Sequence, residues 1–219
     1  MFNKLIIDST YSVTDLCKLG EKYATDKSPL NKDSNLHKHA YTAIYDMLFS
    51  SIRSKNINLG EIGILDNNSI KCWWNYFPNG TICGFENDQN RIDKALGDDL
   101  DWVCYYNLDV RSKSSTLEEG LSRFGEKFDI LIDDSTHKFE DQINIIKSGY
   151  KFVEEGGYLI IEDIFKSEDE NRYYEALKDL IPYFSSIYFV EANHKNMSSP
   201  GWNNDKLLIM VRNDRAPSE

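Results

Sequence analysis

From residue 57 onward, short apolar runs alternate with stretches of helical pattern, and few folds accept that rhythm. The runs are INLGEIGIL (57–65), GTICGFE (80–86), WVCYYNLD (102–109), FDILIDD (128–134), GGYLIIEDI (156–164), SSIYFVEA (185–192) and KLLIMVR (206–212). The middle ones are almost continuously apolar, which suits strands covered on both faces. Between them lie SIKCWWNYF, STLEEGLSRFG, KFEDQINIIKSGYKFV and EDENRYYEALKDLIPYF, each long enough for helical turns. Such alternation predicts an α/β fold, a doubly wound, mostly parallel sheet of seven strands. The last two strands are separated by NHKNMSSPGWNND, a loop by composition. They are expected to pair antiparallel, with one reversed strand near the edge of the sheet.

Residues 1–55 differ in character. VTDLCKLGEKYA and LHKHAYTAIYDMLFSSIR read as two helices around the polar loop TDKSPLNKDSN. Tyr41, Ile44, Tyr45 and Leu48 recur at helical spacing and form a stripe suited to packing on the sheet. The segment is expected to be an N-terminal helical cap within the same domain, followed by a core over 56–213 and a tail over 214–219.

Composition narrows the function classes. The net charge of −11 disfavours nucleic acid, because phosphate contacts need clustered Lys and Arg. Four scattered cysteines without a CxxC pair argue against zinc and a disulfide framework, and fit a cytoplasmic location. No apolar run reaches the roughly 18 residues that would span a bilayer, and MFNKLIIDSTYS lacks the pattern of a signal peptide.

Ligands of open α/β sheets bind outside the carboxyl ends of the strands, so the strand-terminal residues carry the functional information. These are Glu61 and Gly63, then Glu86, then Asp109, then Asp133 and Asp134 with His137 beyond, and finally Glu162 and Asp163. Acids gathered on one rim repel, which calls for a cationic or hydrogen-bonding compensator. A glutamate at the second strand's end suits ribose hydroxyls. Asp134, Glu162 and Asp163 offer the hard oxygen ligands of a magnesium-type ion, and His137 can accept a proton near neutral pH. The alternative is plainer: Asp134 capping the next helix in DDSTHKFEDQ, with Glu162 and Asp163 as solvated loop acids. FDILIDD also mimics the acidic strand of NTPases, but the chain has no G-x-x-x-x-G-K-[ST] run, nor a G-x-S-x-G elbow.

In order, EIG, YFPNGTICGFE, FDILIDDSTH and GGYLIIEDI resemble the class I S-adenosylmethionine-dependent methyltransferases with their Rossmann-like sheet. YATDK (23–27) and HAYT (39–42) are similar to the N-terminal signature of the metal-dependent sugar O-methyltransferases of macrolide tailoring. The likeness runs from about residue 20 to 213. It implies that Glu61, Gly63 and Ser69 shape the methionine side of the cofactor site and Glu86 holds the ribose. It further implies that Asp109 lies near the adenine, Asp133 beside the cofactor's amino group, and Thr25, Lys27 and His39 close the site from the cap. Asp134, Glu162 and Asp163 match the family's Mg2+ ligands and His137 its general base. Two departures stand out: the glycine-rich turn is reduced to EIGILDNNS, and Glu86 stands where relatives often have aspartate. Asp66, Asn67 and Asn68 tolerate left-handed backbone better than most residues, which keeps a tight turn feasible.

The resulting expectation is transfer of a methyl group from S-adenosyl-L-methionine to a sugar hydroxyl on a small-molecule or carbohydrate acceptor, with Mg2+ or a similar divalent cation. A surface-polysaccharide precursor and a glycosylated metabolite both satisfy it, and a homo-oligomer is compatible with it. The alternatives are a catechol or phosphate-linked acceptor, and a nucleoside-binding protein that has lost catalysis.

Overall fold

The computed structural model describes residues 2–32 and 37–216. One sheet of eight strands organises them, in the order β1-β7-β8-β6-β5-β2-β3-β4. These are β1 (Asn3–Asp8), β2 (Asn58–Ile62), β3 (Thr81–Glu86), β4 (Val103–Asn107), β5 (Phe128–Asp133), β6 (Val153–Ile164), β7 (Phe184–Asn193) and β8 (Lys206–Arg212). The helices are α1 (Asp15–Lys22), α2 (Tyr41–Phe49), α3 (Asn68–Tyr76), α4 (Gln89–Leu96), α5 (Ser114–Ser122), α6 (Phe139–Gly149) and α7 (Glu170–Leu177). Every strand pair is parallel except those of β8, which runs antiparallel to both β6 and β7.

Alternation along the strands divides the core in two. Leu59, Ile130, Ile132, Ile160 and Ile209 meet Leu16 of α1, Tyr41, Ile44 and Tyr45 of α2, and Ile70 and Trp73 of α3. On the opposite face, Phe85, Leu131, Leu159, Ile161 and Leu208 meet Leu117 and Leu121 of α5, Ile143 and Ile146 of α6, and Tyr173 of α7. Helices on both faces explain why the middle strands read as unbroken apolar runs.

Two elements differ from the sequence expectation. The sheet has eight strands, because NKLIID in the expected helical cap forms β1 and pairs with β7 from Asn3↔Tyr188 to Asp8↔Asn193. Its side chains are exposed or half-buried, so backbone pairing holds it and it leaves no burial pattern to read. The reversed strand β8 stands third from the edge. The polar helix α4 also escaped notice: only Ile92 and Ala95 of QNRIDKAL are buried, and Asp88 caps it by accepting from Asn90 N at 2.9 Å. Among the described residues, no helix is long and apolar enough to cross a membrane.

The chain order reverses between β2 and β5, which places the site. There Gly63 N donates to Phe85 O and Asp134 N to Ile62 O, each at 2.8 Å. Gly63 adopts φ +89°, and a Cβ on it would lie 2.2 Å from the Asp134 carbonyl oxygen. Glycine is required on both counts. Gly63→Ala is therefore expected to destabilise the fold by roughly 1–3 kcal/mol, read as a fall of several degrees in Tm by thermal denaturation.

Candidate active site

Above the carboxyl ends of β2, β3, β5 and β6 lies a cleft with two lobes, of about 300 and 310 Å³, which share Asp26, Gly63, Leu65 and Asp134. One lobe continues along Phe85, Glu86, Leu108 and Val110 and reaches His137 and Asp163. The other follows Thr25, Asn31, Asp66, Asn68 and Ser69. The turn between β2 and α3 separates them. Its left-handed residues are Gly63, Leu65 and Asn67; Asp66 and Asn68 do not join them. Asn67 is anchored by donating to Asp98 Oδ2 at 2.9 Å and Tyr105 Oη at 2.8 Å, so a side chain replaces the usual second glycine.

The acidic rim has an internal compensator. Lys27 is buried, and its ammonium donates to Asp134, to Glu162 at 2.5 Å, and lies 3.3 Å from Glu61. Its backbone carbonyl accepts from Tyr41 N and Thr42 N at 3.1 and 3.2 Å, closing the start of α2, which has no side-chain cap. One residue thus fixes helix and acids together. Trp73 Nε1 donates to the other oxygen of Glu61 and Tyr45 Oη to the other oxygen of Glu162. Burial pushes both glutamates above the ordinary carboxylate range, with Lys27 opposing it. Burial would also raise Asp134, yet Lys27 and His137 hold it below the ordinary value. Burial pulls the Lys27 ammonium down, but the three carboxylates outweigh it and keep it charged.

A second group forms around Asp163, where the backbone is left-handed at φ +57°. Asp163 Oδ1 accepts from Tyr41 Oη at 2.7 Å. Its Oδ2 lies 3.6 Å from Nε2 of both His39 and His137. His39 is buried, its Nδ1 is 2.9 Å from Asp205 Oδ1, and its ring stacks on Tyr41 with centroids 4.9 Å apart. Burial disfavours its charge, but Asp163 and Asp205 prevail and push the imidazolium up to about 9. His137, at φ +59°, has no partner for its buried Nδ1.

Asp134, His137 and Asp163 each offer a ligand atom within 4.8 Å of the others. Two carboxylates and an imidazole whose Nδ1 has no hydrogen-bond partner suit a divalent cation with water completing its shell. The expected ligand set of Asp134, Glu162 and Asp163 is thus brought together only in part. Glu162 points into the core toward Lys27 and Tyr45, and His137 comes into reach instead. Asp163 is a left-handed bulge residue within β6, where the pairing with β8 shifts register, and it keeps both consecutive acids on the α2 side, Glu162 against Tyr45 and Asp163 against Tyr41, which spacing alone does not reveal.

The remaining expected residues divide. Glu86 lines the first lobe, accepts from Asn87 N and Asp88 N at 2.9 and 3.1 Å, and accepts from Ile64 N at 3.3 Å. Thr25 and Ser69 line the second lobe, and Glu61 lies buried beneath it against Ser69. Asp109 does not reach the cleft: Arg111 grips both its oxygens at 2.8 Å, and the neighbours Leu108 and Val110 line the lobe. Asp133 also turns away. Strand alternation sends it to the α6 side, where it is buried, accepts from Ser135 Oγ at 2.6 Å, and is pushed up to about 7 by burial. Sequence reasoning missed Asp26, Arg91 and Asp205, and took Tyr41 and Tyr45 for packing alone. Their hydroxyls were the available signal, since a buried tyrosine needs a polar partner.

No family model matches the chain. It is 27% identical over 168 residues to the 8-demethyl-8-(2-methoxy-alpha-L-rhamnosyl)-tetracenomycin-C 3'-O-methyltransferase of Streptomyces olivaceus, which covers 74% of the chain and 40% of that enzyme. It is 28% identical to the demethylmacrocin O-methyltransferase of Streptomyces fradiae, over 71% of the chain and 38% of the relative. The mycinamicin VI 2''-O-methyltransferase of Micromonospora griseorubida is 27% identical over 69% of the chain and 36% of its own length. The chain therefore spans about 40% or less of these curated relatives. Among solved structures, the MycE methyltransferase of the mycinamycin pathway, in complex with Mg and SAH, superposes with TM-score 0.66 at 21% identity, covering 94% of this chain and 57% of that one. An Aeropyrum pernix fibrillarin with bound S-adenosyl-L-methionine superposes with TM-score 0.52 at 16% identity, over 77% of this chain and 73% of that one. The fold is the Rossmann-like methyltransferase fold, and the sequence is similar to sugar O-methyltransferases of the mycinamicin type.

Lys27→Met strands three acids around an uncharged side chain. It is expected to cost about 3–5 kcal/mol, which for a chain of this size lowers Tm by roughly 10 °C. Asp133 gives a second expectation, in pH. Its folded-state value is raised from 3.8 to about 7, so its stabilising contribution is complete below pH 4 and lost as pH climbs to 7. Asp133→Asn, which still accepts from Ser135, should match the parent in Tm near pH 4 and exceed it at pH 8.

Proposed function

We propose that the chain is an S-adenosylmethionine-dependent, divalent-metal-assisted O-methyltransferase whose acceptor is a sugar hydroxyl, as on a glycosylated metabolite. The observation that carries the reading is the convergence of Asp134, His137 and Asp163 at the inner end of a lobe whose outer part is bounded by Glu86. Support comes from the sequence relatives, which include by name a rhamnosyl-tetracenomycin-C 3'-O-methyltransferase and a mycinamicin VI 2''-O-methyltransferase. The net charge of −11 argues against a nucleic-acid acceptor, and four free thiols fit the cytoplasm.

Under this reading the lobes divide the cofactor. Glu86 accepts from the ribose hydroxyls with the oxygen that faces Arg91, while Leu108 and Val110 provide apolar surface for the adenine. Thr25, Asn68 and Ser69 surround the methionine portion, and Gly63 lets the backbone approach closely. Asp134 and Asp163 would hold the ion, with Glu162 joining only by sharing its carboxylate with Lys27. Such an ion lowers the pKa of a hydroxyl bound beside it. His137 takes the acceptor proton, and Asp163, 3.6 Å from its Nε2, steadies the imidazolium that forms. His39, held charged by Asp163 and Asp205, offsets the negative charge without titrating near neutral pH. Lys27 keeps the acids from repelling one another before anything binds.

Lys27 also favours a second reading. An ammonium already sits among Asp134, Glu162 and Glu61, so the cofactor could bind and react with no added ion.

Calorimetric titration with S-adenosylhomocysteine, with and without magnesium, separates these cases. The leading reading expects binding in both conditions and turnover only with the metal, and it is lost if the nucleoside does not bind. His137→Ala should keep the cofactor affinity while turnover on a rhamnoside falls by roughly 10²–10⁴. Asp134→Asn should erase the response to magnesium; activity that persists in chelator favours the Lys27 reading.

A further inference from the structure

Trp202 is 48% exposed, yet its loop is strapped in place rather than loose. Lys38 and Ser198 exchange backbone hydrogen bonds at 2.8 and 3.1 Å, tying residues before α2 to the loop between β7 and β8. Trp202 N donates to Ser199 O at 3.1 Å, and Lys166 N to Asn203 O at 2.9 Å. The turn itself is left-handed at Gly201 (φ +82°) and Asn203 (φ +48°). The loop thus holds a large apolar ring, half of it open to solvent, in a fixed position.

The ring has company. Phe165, two residues beyond Asp163, lies nearly parallel to Trp202, at 17° with centroids 6.0 Å apart. His37 meets Trp202 edge-on at 6.0 Å, stacks on His39 at 5.9 Å, and His39 stacks on Tyr41 at 4.9 Å. This ladder begins at the buried Tyr41 that donates to Asp163 and ends at the exposed indole. It runs from Asp163 to the surface.

We propose that Trp202 and Phe165 form the acceptor subsite, a face on which the sugar ring lies while one of its hydroxyls reaches His137 and Asp163. This rests on the sugar O-methyltransferase reading. A pyranose carries C–H bonds on one face and hydroxyls around its edge. The C–H face packs on the electron-rich face of an aromatic ring, and the edge remains free for polar groups. A platform on a strapped loop binds without an ordering cost, which suits a ligand with little apolar surface. The other highly exposed tryptophan, Trp102 at 78%, precedes β4 on the opposite rim and serves as a control.

The test uses methyl α-L-rhamnopyranoside with the full chain, S-adenosylhomocysteine and magnesium, read by saturation-transfer NMR. The parent should transfer magnetisation to the ring C–H protons. Trp202→Ala should bind the rhamnoside about tenfold more weakly, Trp202→Phe should retain most of the signal, and Trp102→Ala should match the parent. Calorimetric affinity for S-adenosylhomocysteine should be the same in all four proteins. In turnover, Trp202→Ala should raise KM for the rhamnoside about tenfold with little change in kcat. Unchanged sugar binding in Trp202→Ala, with the nucleoside still bound, overturns the subsite and leaves the methyltransferase reading intact. A parent that binds the nucleoside but takes up a catechol instead of the rhamnoside also overturns it. Loss of nucleoside binding in the parent overturns the underlying reading.

Discussion

One ammonium group, that of Lys27, is the condition for everything around it. Three carboxylates from three different strands come together beneath the cleft: Glu61 after β2's start, Asp134 past β5 and Glu162 within β6. Unpaired buried acids at this spacing would take up protons or force the strand ends apart. With Lys27 among them, Asp134 remains ionised and the three strands end in register. Because the same residue's carbonyl closes the start of α2, the helix that covers the sheet is locked to the charge cluster. Tyr41 and Tyr45, one turn apart on that helix, then deliver hydroxyls to Asp163 and Glu162. The pair would be mere packing residues anywhere else.

The site therefore carries two charged groups with different surroundings. Lys27 is permanent and internal, facing the core side of the cluster. The group formed by Asp134, His137 and Asp163 opens on the cleft and has room for a divalent ion. Asp134 belongs to both, which couples the interior to the cleft. His39 contributes fixed positive charge behind Asp163, so the acid beside His137 is not left to repel Asp134 unaided. The two histidines are thus held differently, His39 buried and kept charged by two aspartates and His137 standing beside Asp163 at the cleft.

Much of this was legible in order but not in direction. Strand-terminal acids and a histidine three residues past Asp134 pointed to the rim where Asp134, His137 and Asp163 converge, because parallel strands bring their carboxyl ends together. Side-chain direction is what the pattern leaves open. Asp133 and Asp109 sit at strand ends like the others, but neither side chain lines the cleft, Asp133 turning back to Ser135 and Asp109 to Arg111. Glu162 and Asp163 are adjacent, and a left-handed bulge keeps both on the α2 side, one against Lys27 and Tyr45 and the other against Tyr41 and His39. The edge strand β1 was invisible because backbone hydrogen bonds, not buried side chains, attach it.

The sequence by itself determined the alternation of strand and helix, the apolar middle strands covered on both faces, and the acidic rim. Each of these is a matter of local pattern and chain connectivity. Only the tertiary structure decided which acids share a cation. Lys27 stands 107 residues from Asp134 and 135 from Glu162, and Tyr41 stands 122 from Asp163. Contacts at that separation depend on how helix α2 crosses the sheet and on the backbone angle at single residues. The requirement for a compensating charge could be read from the acids alone, whereas the identity of the group that meets it came from three-dimensional packing.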